Sequence, residues 1–436
     1  MSRIRLAGAA LVAAPVACAG LAVCAAPAVA APAAPTTPQV VVLRDATADP
    51  ERAIDTLVRV HGIKLKFRYG RVLDGFAADL TAAQLGAVQA DPAVAFVEPD
   101  AVVQQAGLSQ PVAAGETVPP GIRRVGGVAG TLTRPAAAPV AVLDSGLDLA
   151  NSDLAARAGI NCVKAGTAPQ DDSGHGTNVG GIIGARNSGA GVTGVAPGTP
   201  LYAVKVLAKS GMGTLSQILC GINWVTANAA PLGIRVANMS VTGTGVDDGA
   251  CGNANGDSWH KAICASVAAG VTWVVSAGNA GTGFEKTIPA AYPEVLTVTA
   301  MSDTDGLPGA KGKVPSCKKG EVDDRYAAFS NFAATAAAAA HTIAAPGTCV
   351  LSAKLGGGTS TYYGTSQSAP HVAGAAAACI GTPEAAGPCA GLSPAGVMAR
   401  LRADATAAGA ALGFSGDPFR PLAGKTFGPL LSAAAY

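Results

Sequence analysis

Four short motifs contain residues whose types could together carry out acyl transfer. Asp144 ends the apolar run VAVLD, His175 lies in DDSGHGTNVGG, Asn279 closes SAGN, and Ser366 lies in YGTSQSAPHVAG. A serine hydroxyl becomes a nucleophile when a base removes its proton, a carboxylate can orient that base, and an amide can donate to an oxyanion. Each residue alone also has an ordinary explanation as a cap, turn or helix-start residue. Together the four supply an acid, a base, an oxyanion donor and a nucleophile.

Ser366 is the best nucleophile candidate among the hydroxyls of its motif. It stands at the start of a predicted helix of small residues, and a helix N-terminus favours negative charge. His371 follows five residues later, which places it more than one turn away and off the face of the serine. We therefore predict a packing role for His371, and backbone-bonding roles for Thr365 and Ser368.

Five apolar runs end in or next to polar segments, and two of the four motifs, those of Asp144 and Asn279, lie at such ends. Continuous apolar runs are typical of strands buried on both faces of a parallel sheet, and sites form at the carboxyl ends of those strands. The runs are PVAVLD (139–144), LYAVKVL (201–207), RVANMSV (235–241), VTWVVSAGN (271–279) and VLTVTA (295–300). From residue 121 onward the sequence therefore predicts an α/β fold with a mostly parallel sheet.

The first thirty residues have the pattern of a signal peptide. Arg3 and Arg5 precede an apolar run, and Ala28-Val29-Ala30 is a small-x-small cleavage signal. Prolines interrupt the run, which argues against a membrane anchor. A lipoprotein processed before Cys24 is the alternative, although Val23 is bulky where a small residue is expected. We predict a signal peptide over 1–30, a linker over 31–38 and a secreted, extracellular protein.

Residues 39–103 have the pattern of a small separate domain. Apolar alternation and helical periodicity follow the order strand, helix, strand, strand, helix, strand, which is a ferredoxin-like α/β arrangement. The next segment, 104–120, contains Gly, Gln, Ser and three prolines without periodicity. We predict that 104–120 is an exposed linker.

Composition excludes some functions and suggests an oxidising compartment. Charged residues are 13% of the chain and the net charge is +2, against about 25% charged residues in an average domain. No basic block suggests nucleic acid. Eight cysteines remain after the predicted leader, an even number that suggests disulfides. The short loops 251–264 and 379–389 are our expected pairings, and the lack of a CxxC pair argues against zinc.

Six motifs in order resemble those of the subtilisin-like serine proteases (subtilases, peptidase family S8), of the proteinase K and subtilisin type. They are VLDSG, GHGTxV, NMS, SAGN, APG and GTSxSxPHVAG. The resemblance covers an inhibitor-like pro-domain over 39–103 and a catalytic domain over 121–436, and it implies a three-layer α/β/α fold. It also implies that Asp144 orients His175, that His175 serves as general base and then acid, and that Ser366 is the nucleophile. Asn279 and the backbone N–H of Ser366 would hold the oxyanion.

The same resemblance implies how a substrate would bind. The segment Ser240-Val241-Thr242-Gly243 would form one side of a peptide cleft, and Gly211-Met212-Gly213 the other. Thr242 stands where the family usually has glycine, and no acidic cluster suggests selection of basic residues. We therefore expect cleavage after apolar or uncharged residues, with the pro-domain cut off somewhere within 103–120.

The resemblance implies no cofactor for the chemistry, and it allows a structural calcium ion. Asp153 would supply a carboxylate, and the carbonyls of Arg186, Ala190 and Val192 would complete the site. The expected partners are polypeptide substrates and the pro-domain itself as intramolecular inhibitor, with no nucleic acid, no membrane anchor and a monomeric enzyme. The function expected is a secreted serine endopeptidase made as a self-processed pre-pro-enzyme. A catalytically silent subtilase that serves as a binding module is the alternative.

Overall fold

The computed structural model describes residues 35–105, 108–111, 117–126 and 137–436. The predicted leader, with Cys18 and Cys24, lies outside these residues. Residues 36–99 form the small domain, with the predicted order of strands and helices. Its elements are β1 (Thr36–Leu43), α1 (Pro50–His61), β2 (Leu65–Gly70), β3 (Asp74–Thr81), α2 (Ala82–Gln89) and β4 (Val94–Pro99). The four strands form an antiparallel sheet in the order β2-β3-β1-β4.

Alternation along β1 explains how the small domain packs on both faces of its sheet. Val41 and Leu43 are buried in the small domain's own core with residues of α1 and α2. Val40 and Val42 point to the other face and join the core of the large domain, which we define as residues 137–436. A strand of period two can serve two cores in this way only when both of its faces are apolar.

The segment between the two domains is partly ordered as strands, which differs from the predicted exposed linker. Its elements are β5 (Val102–Gln105), β6 (Leu108–Pro111) and α3 (Pro120–Arg124). β5 and β6 both pair with strands of the large domain. The sequence shows no periodicity in these two stretches because their backbone partners lie elsewhere in the chain.

The large domain contains the parallel sheet that the apolar runs predict. Its elements in chain order are β7 (Val140–Asp144), β8 (Ala156–Asn161), α4 (His175–Gly184), β9 (Leu201–Lys205), β10 (Met212–Thr214), α5 (Leu215–Leu232), β11 (Val236–Met239), β12 (Val241–Thr244), α6 (Ser258–Ala268), β13 (Thr272–Ser276), β14 (Thr287–Ile288), β15 (Leu296–Ser302), β16 (Arg325–Tyr326), α7 (Ala336–Ala339), β17 (Thr342–Pro346), β18 (Val350–Ala353), β19 (Thr359–Tyr363), α8 (Thr365–Ile380) and α9 (Pro394–Ala407). The main sheet has the order β16-β15-β13-β11-β7-β9-β8, with β17 also beside β15. Its described pairs are parallel except β15–β16.

Residues of β7 show why this sheet is covered on both sides. Val140 and Val142 pack in a core with residues of α4, α8 and α9. Ala141 and Leu143 pack in the opposite core with residues of α5 and α6. The three-layer α/β/α prediction is therefore confirmed. Within the described residues, no helix is both long enough and apolar enough to span a bilayer.

Four disulfides join the cysteines of the large domain. The bonds are Cys162–Cys220, Cys251–Cys264, Cys317–Cys349 and Cys379–Cys389. The two short loops predicted from the sequence are confirmed. The other two pairs join cysteines 58 and 32 residues apart, and closing loops of that size removes more chain entropy from the unfolded state.

Candidate active site

Asp144 and His175 form a buried, hydrogen-bonded pair at the carboxyl edge of the main sheet. Asp144 is the last residue of β7, and its Oδ1 lies 2.7 Å from Nδ1 of His175. The same oxygen accepts the backbone N–H of Ser145 at 2.7 Å. Both side chains of the pair are fully buried. A carboxylate at Nδ1 fixes the imidazole's tautomer and stabilises its protonated form, which is what a general base requires.

Glycine and a second aspartate place His175 at the start of α4. Gly174 caps the helix with φ of 93°, a conformation that L side chains rarely adopt. A Cβ atom at Gly176 would stand 2.0 Å from the carbonyl oxygen of Gly146, so only glycine lets this turn approach β7. Asp171 accepts the backbone N–H of Thr177 at 2.9 Å, which fixes the first turn of the helix.

Ser366 lies in the first turn of α8. Its Oγ donates to the carbonyl oxygen of Ser240 at 3.1 Å, and Ser240 Oγ donates to the carbonyl of Ser366 at 2.9 Å. Asn238 Nδ2 donates to Ser240 Oγ at 3.0 Å. These bonds join the start of α8 to the end of β11, so they hold the serine at the sheet edge.

Asn279 is oriented by the residue that precedes the serine. Its Oδ1 accepts the backbone N–H of Thr365 at 2.8 Å and lies 3.0 Å from Thr365 Oγ1. Gly278 N–H donates to the same hydroxyl at 3.0 Å. Since Oδ1 is engaged, the amide hydrogens on Nδ2 are available for a developing oxyanion. The predicted backbone-bonding role of Thr365 is confirmed. The same prediction for Ser368 is wrong, because its buried Oγ has no hydrogen-bond partner among the described residues.

His371 has surroundings that suit packing and not catalysis. Its Nδ1 lies 2.8 Å from the carbonyl oxygen of Gln367, one turn earlier in α8, and its Nε2 faces Gly121 in α3. Complete burial lowers the pKa of His371 to about 4. A neutral imidazole hydrogen-bonded to its own helix agrees with the predicted packing role.

The chain's own segment occupies the cleft between the two predicted substrate-binding stretches. β5 is antiparallel to β10 on one side, where Met212 pairs with Gln104 and Gly213 with Val103. It is antiparallel to β12 on the other side, where Thr242 pairs with Gln104. Both predicted walls therefore hold an extended peptide backbone by strand addition.

The four-residue stretch 240–243 and the stretch 211–213 differ in exposure along this cleft. Ser240 and Val241 are buried, Thr242 and Gly243 are half-buried, and Met212 is 46% exposed. Gly211 has φ of 75°, and a Cβ atom at Gly213 would lie 2.4 Å from a carbonyl oxygen. These glycines let the rim strand β10 approach the sheet closely enough to pair with a peptide.

Strand β19 forms a third wall of the peptide cleft, which was not predicted from the sequence. β19 ends at Tyr363, directly before the motif that contains Ser366, and it pairs with β6 so that Tyr363 lies opposite Leu108. The tyrosine-containing stretch TSTYY just before the motif was the available signal. The site thus contacts an extended chain on both sides of Ser366.

The residues expected to hold calcium also lie together, away from the cleft walls. Asp153 Oδ1 lies 3.3 Å from Ser188 Oγ, and its Oδ2 lies 3.5 Å from the backbone nitrogen of Val192. Ser188 Oγ is 3.1 Å from the carbonyl oxygen of Ala190, and the backbone N–H of Arg186 donates to the carbonyl of Asp153. The Asp153 carboxylate and the Ala190 carbonyl both contact Ser188 Oγ, and oxygen ligands of these kinds suit Ca²⁺.

A serine, a carboxylate-bound histidine and an oriented asparagine at the edge of a parallel sheet are the arrangement of hydrolases that use a serine nucleophile. The model of the subtilase family matches residues 136–412, and that of peptidase inhibitor I9 matches residues 44–106. The chain therefore belongs to the subtilase family and is a serine endopeptidase with an inhibitor pro-domain at its N-terminal side. Subtilisins need no cofactor for catalysis, and structural calcium is common among them.

Individual relatives agree with this membership. Subtilisin E of Bacillus subtilis (strain 168) is 33% identical over 320 residues, which cover 72% of each chain. Alkaline elastase YaB of Bacillus sp. (strain YaB) is 34% identical over 308 residues, 69% of this chain and 68% of the relative. The crystal structure of a cold adapted subtilisin-like serine proteinase superposes with a TM-score of 0.53 at 25% identity, over 72% of this chain and 98% of that one.

Proposed function

We propose that Ser366, His175 and Asp144 form the catalytic triad and that Asn279 completes the oxyanion hole. Ser366 Oγ attacks the peptide carbonyl carbon while His175 takes the hydroxyl proton. His175 then gives that proton to the leaving amine as the C–N bond breaks, and water later releases the acyl group by the same route. The observation that carries the proposal is the buried 2.7 Å contact between Asp144 Oδ1 and His175 Nδ1.

The oxyanion requires donors that are in place before the reaction. Thr365 engages Asn279 Oδ1, which supports Nδ2 as one donor. Ser366 lies in the first turn of α8, where backbone N–H groups have no partner within the helix and favour negative charge. The backbone N–H of Ser366 is our second donor.

We propose that the enzyme processes itself at a bond between Gln105 and Leu108. Gln105 pairs with Val241, which directly follows the serine whose carbonyl accepts the Ser366 hydroxyl. Leu108 pairs with Tyr363, three residues before Ser366. The chain is thus held to the enzyme on both sides of the nucleophile. The stretch QQAGL contains no charged residue, which supports our expectation of cleavage after uncharged residues.

The small domain would remain bound after this cut and act as an inhibitor. Tyr69 donates to the carbonyl of Ser216 at 3.0 Å, and Asp100 accepts the backbone N–H of the same serine. Glu98 accepts the backbone N–H of Ser258 at 2.9 Å, at the N-terminus of α6. These contacts persist whether or not the chain is continuous, so we propose a zymogen whose cleaved pro-domain must still be removed before substrates enter.

We further propose that the protein is exported through its N-terminal segment and acts as a monomer on extracellular polypeptides. We also propose that Asp153 and the carbonyls of Arg186, Ala190 and Val192 hold a structural calcium ion. Added Ca²⁺ should then raise the melting temperature of the chelator-stripped parent, and Asp153→Asn should remove that increase. An equal Ca²⁺ effect in the variant would contradict the calcium assignment without affecting the triad.

A fluorophosphonate serine probe tests the catalytic proposal. The parent should mature and form one adduct at Ser366, whereas Ser366→Ala should form none and keep its full precursor length. Ser368→Ala is the matched control, since Ser368 lies in the same turn and should leave labelling intact. A folded, pro-domain-free parent that reacts with no probe would support the silent binding module instead.

A further inference from the structure

A second buried histidine, His260 in α6, is surrounded by carboxylates. Its ring stacks on Tyr292, with the ring centroids 4.1 Å apart and the planes 1° from parallel. Nε2 lies 2.8 Å from Glu294 Oε2. Nδ1 lies 3.4 Å from Asp248 Oδ1 and 3.6 Å from Asp247 Oδ1. Both ring nitrogens of a fully buried imidazole therefore face negative charge, and the cluster shares no residue with the candidate active site.

The short contact to Glu294 decides where the proton of a neutral imidazole lies. Glu294 accepts a hydrogen bond from Nε2, so the lone pair of the neutral ring is on Nδ1. Nδ1 is buried and makes no hydrogen bond to any described residue. A lone pair directed at two carboxylate oxygens is repulsive, so a proton or a metal cation must lie between them.

The distances around Nδ1 fit a shared metal ion better than a hydrogen bond. Separations of 3.4 and 3.6 Å exceed the usual range for a nitrogen–oxygen hydrogen bond. Two ligands about 2.0–2.1 Å from one tetrahedral ion are about 3.3–3.5 Å apart. The three ligand atoms of Asp247, Asp248 and His260 all lie within 4.8 Å of one another. The 3.4 Å separation lies in that range and the 3.6 Å separation just beyond it, so one ion could contact all three after small adjustments of the side chains.

Charge in the neighbourhood also favours a cation. Asp247, Asp248 and Glu294 all approach the ring. The nearest helical cation, Lys261, donates to Asp45 of the small domain at 2.7 Å, so its charge is already engaged. A divalent ion would offset most of the remaining negative charge.

The chain holds these groups in place without the ion. Asp248 accepts backbone N–H groups of its own loop, including those of Ala250 and Gly252 at 2.9 Å each. The disulfide Cys251–Cys264 ties that loop to α6, and Cys264 lies one helical turn after His260. Groups fixed by a loop and a cross-link need little reorganisation when they bind a ligand.

We propose that Asp247, Asp248 and Nδ1 of His260 bind a divalent transition-metal ion such as Zn²⁺. Glu294 would orient the ring through Nε2, as carboxylates do for metal-binding histidines. The Asp247 side chain is 32% exposed, so the ion can enter from solvent and keep water in a fourth position. The sequence argument against zinc considered cysteine pairs alone, and this nitrogen and oxygen set does not depend on them.

Calorimetric titration of the Ser366→Ala precursor with Zn²⁺ tests the site without any need for activity. The protein should carry no polyhistidine tag and should first be stripped with a chelator. We expect one ion per chain. Asp247→Asn should weaken binding at least tenfold while keeping the oxygen that accepts the Gly249 N–H. His260→Gln should abolish binding, and His61→Gln in the small domain should change nothing.

Three results would overturn the proposal. The first is a parent that binds Zn²⁺ no more tightly than His260→Gln. The second is an Asp247→Asn variant that binds as well as the parent, which decides the matter even if His260→Gln fails to fold. The third is an NMR spectrum in which His260 keeps protons on both ring nitrogens in the presence of saturating Zn²⁺.

Discussion

Two fully buried histidines in this chain lie at the starts of helices beside aspartates, yet their surroundings differ. His175 has a carboxylate hydrogen-bonded to Nδ1, while Ser366 and the cleft strand lie at the same sheet edge. His260 has carboxylates facing both nitrogens and an aromatic ring against its face. A base that must pass a proton from nucleophile to leaving group can have an acid on one side only. We propose that His260 holds a cation and that His175 exchanges a proton.

His371 extends the comparison to a ring without any carboxylate. Its one polar contact among the described residues is to the carbonyl of Gln367. Burial lowers its pKa to about 4, so it is neutral in the folded protein at ordinary pH. The number of carboxylates near each buried imidazole thus distinguishes the packing histidine His371, the proposed base His175 and the proposed metal ligand His260. Their sequence motifs distinguish them less clearly.

The largest effect is expected when His175 is removed. His175→Ala should lower kcat by about 10⁴–10⁶-fold and stop maturation, because His175 is the base that we propose for the Ser366 proton. The measurement is turnover of a peptide substrate together with the length of the precursor on a gel. His61→Gln, which alters a histidine of the small domain, should mature normally. A His175→Ala variant that still matures would contradict the comparison, because His175 would then not be the base for the reaction.

The next effect concerns the carboxylate itself. Asp144→Asn should lower kcat by about 10⁴-fold, because an amide can bind the histidine in the wrong tautomer and cannot stabilise its protonated form. Asp172→Asn is a matched control: this aspartate is bonded to Lys205 and lies outside the triad. Peptide turnover by the two variants should therefore differ by orders of magnitude. Equal losses would mean that general loop stability, and not the contact to Nδ1, explains the effect.

A smaller loss is expected at the oxyanion donor. Asn279→Ala should lower kcat by about 10²–10³-fold with little change in KM, because the amide bonds to charge that develops only in the transition state. Steady-state kinetics on one peptide series separates the two constants. A rise in KM with unchanged kcat would indicate that Asn279 stabilises the bound substrate and not the oxyanion of the transition state.

The smallest expected effect is on stability, and it concerns His371, the packing histidine. The pKa of His371 is about 4 in the folded protein and about 6.5 in an unfolded chain. The unfolded state therefore takes up a proton first as the pH falls, and the free energy of unfolding should decrease between about pH 6.5 and 4. The full contribution is about 3 kcal/mol.

Chemical denaturation at several pH values measures this slope. His371→Gln should reduce it, whatever the variant's absolute stability. His341, whose pKa burial also lowers to about 4, should account for part of the slope that remains. An unchanged slope in His371→Gln would contradict the neutral state of this residue.

Much of the fold could be predicted because local patterns agreed with it. The runs before Asp144 and Asn279 form β7 and β13 within one to three residues of the predicted ends. The small domain's strands and helices follow the predicted order, since each has a clear period of its own. The pairs Cys251–Cys264 and Cys379–Cys389 followed from short loops, whereas the two longer disulfides depend on tertiary placement that spacing does not encode.

Features that depend on distant partners could not be predicted. β5 and β6 have no pattern of their own, and their strand form comes from backbone groups of β10, β12 and β19. The carboxylates around His260 come from the loop before α6 and from the segment before β15. No local sequence motif predicts such a cluster. By contrast, the triad candidates were visible because each must occupy a strand end or a helix start, where sequence signals are strong.

The central claim is that Ser366 cuts the chain where it lies between β5 and β6. Mass spectrometry during the first turnovers of the purified precursor tests this most directly. The earliest pair of complementary fragments, whose masses sum to the precursor plus one water, should place the cut between Gln105 and Leu108, and Ser366→Ala should yield no fragments. A first cut outside 105–108, or the same fragments from Ser366→Ala, would contradict the account.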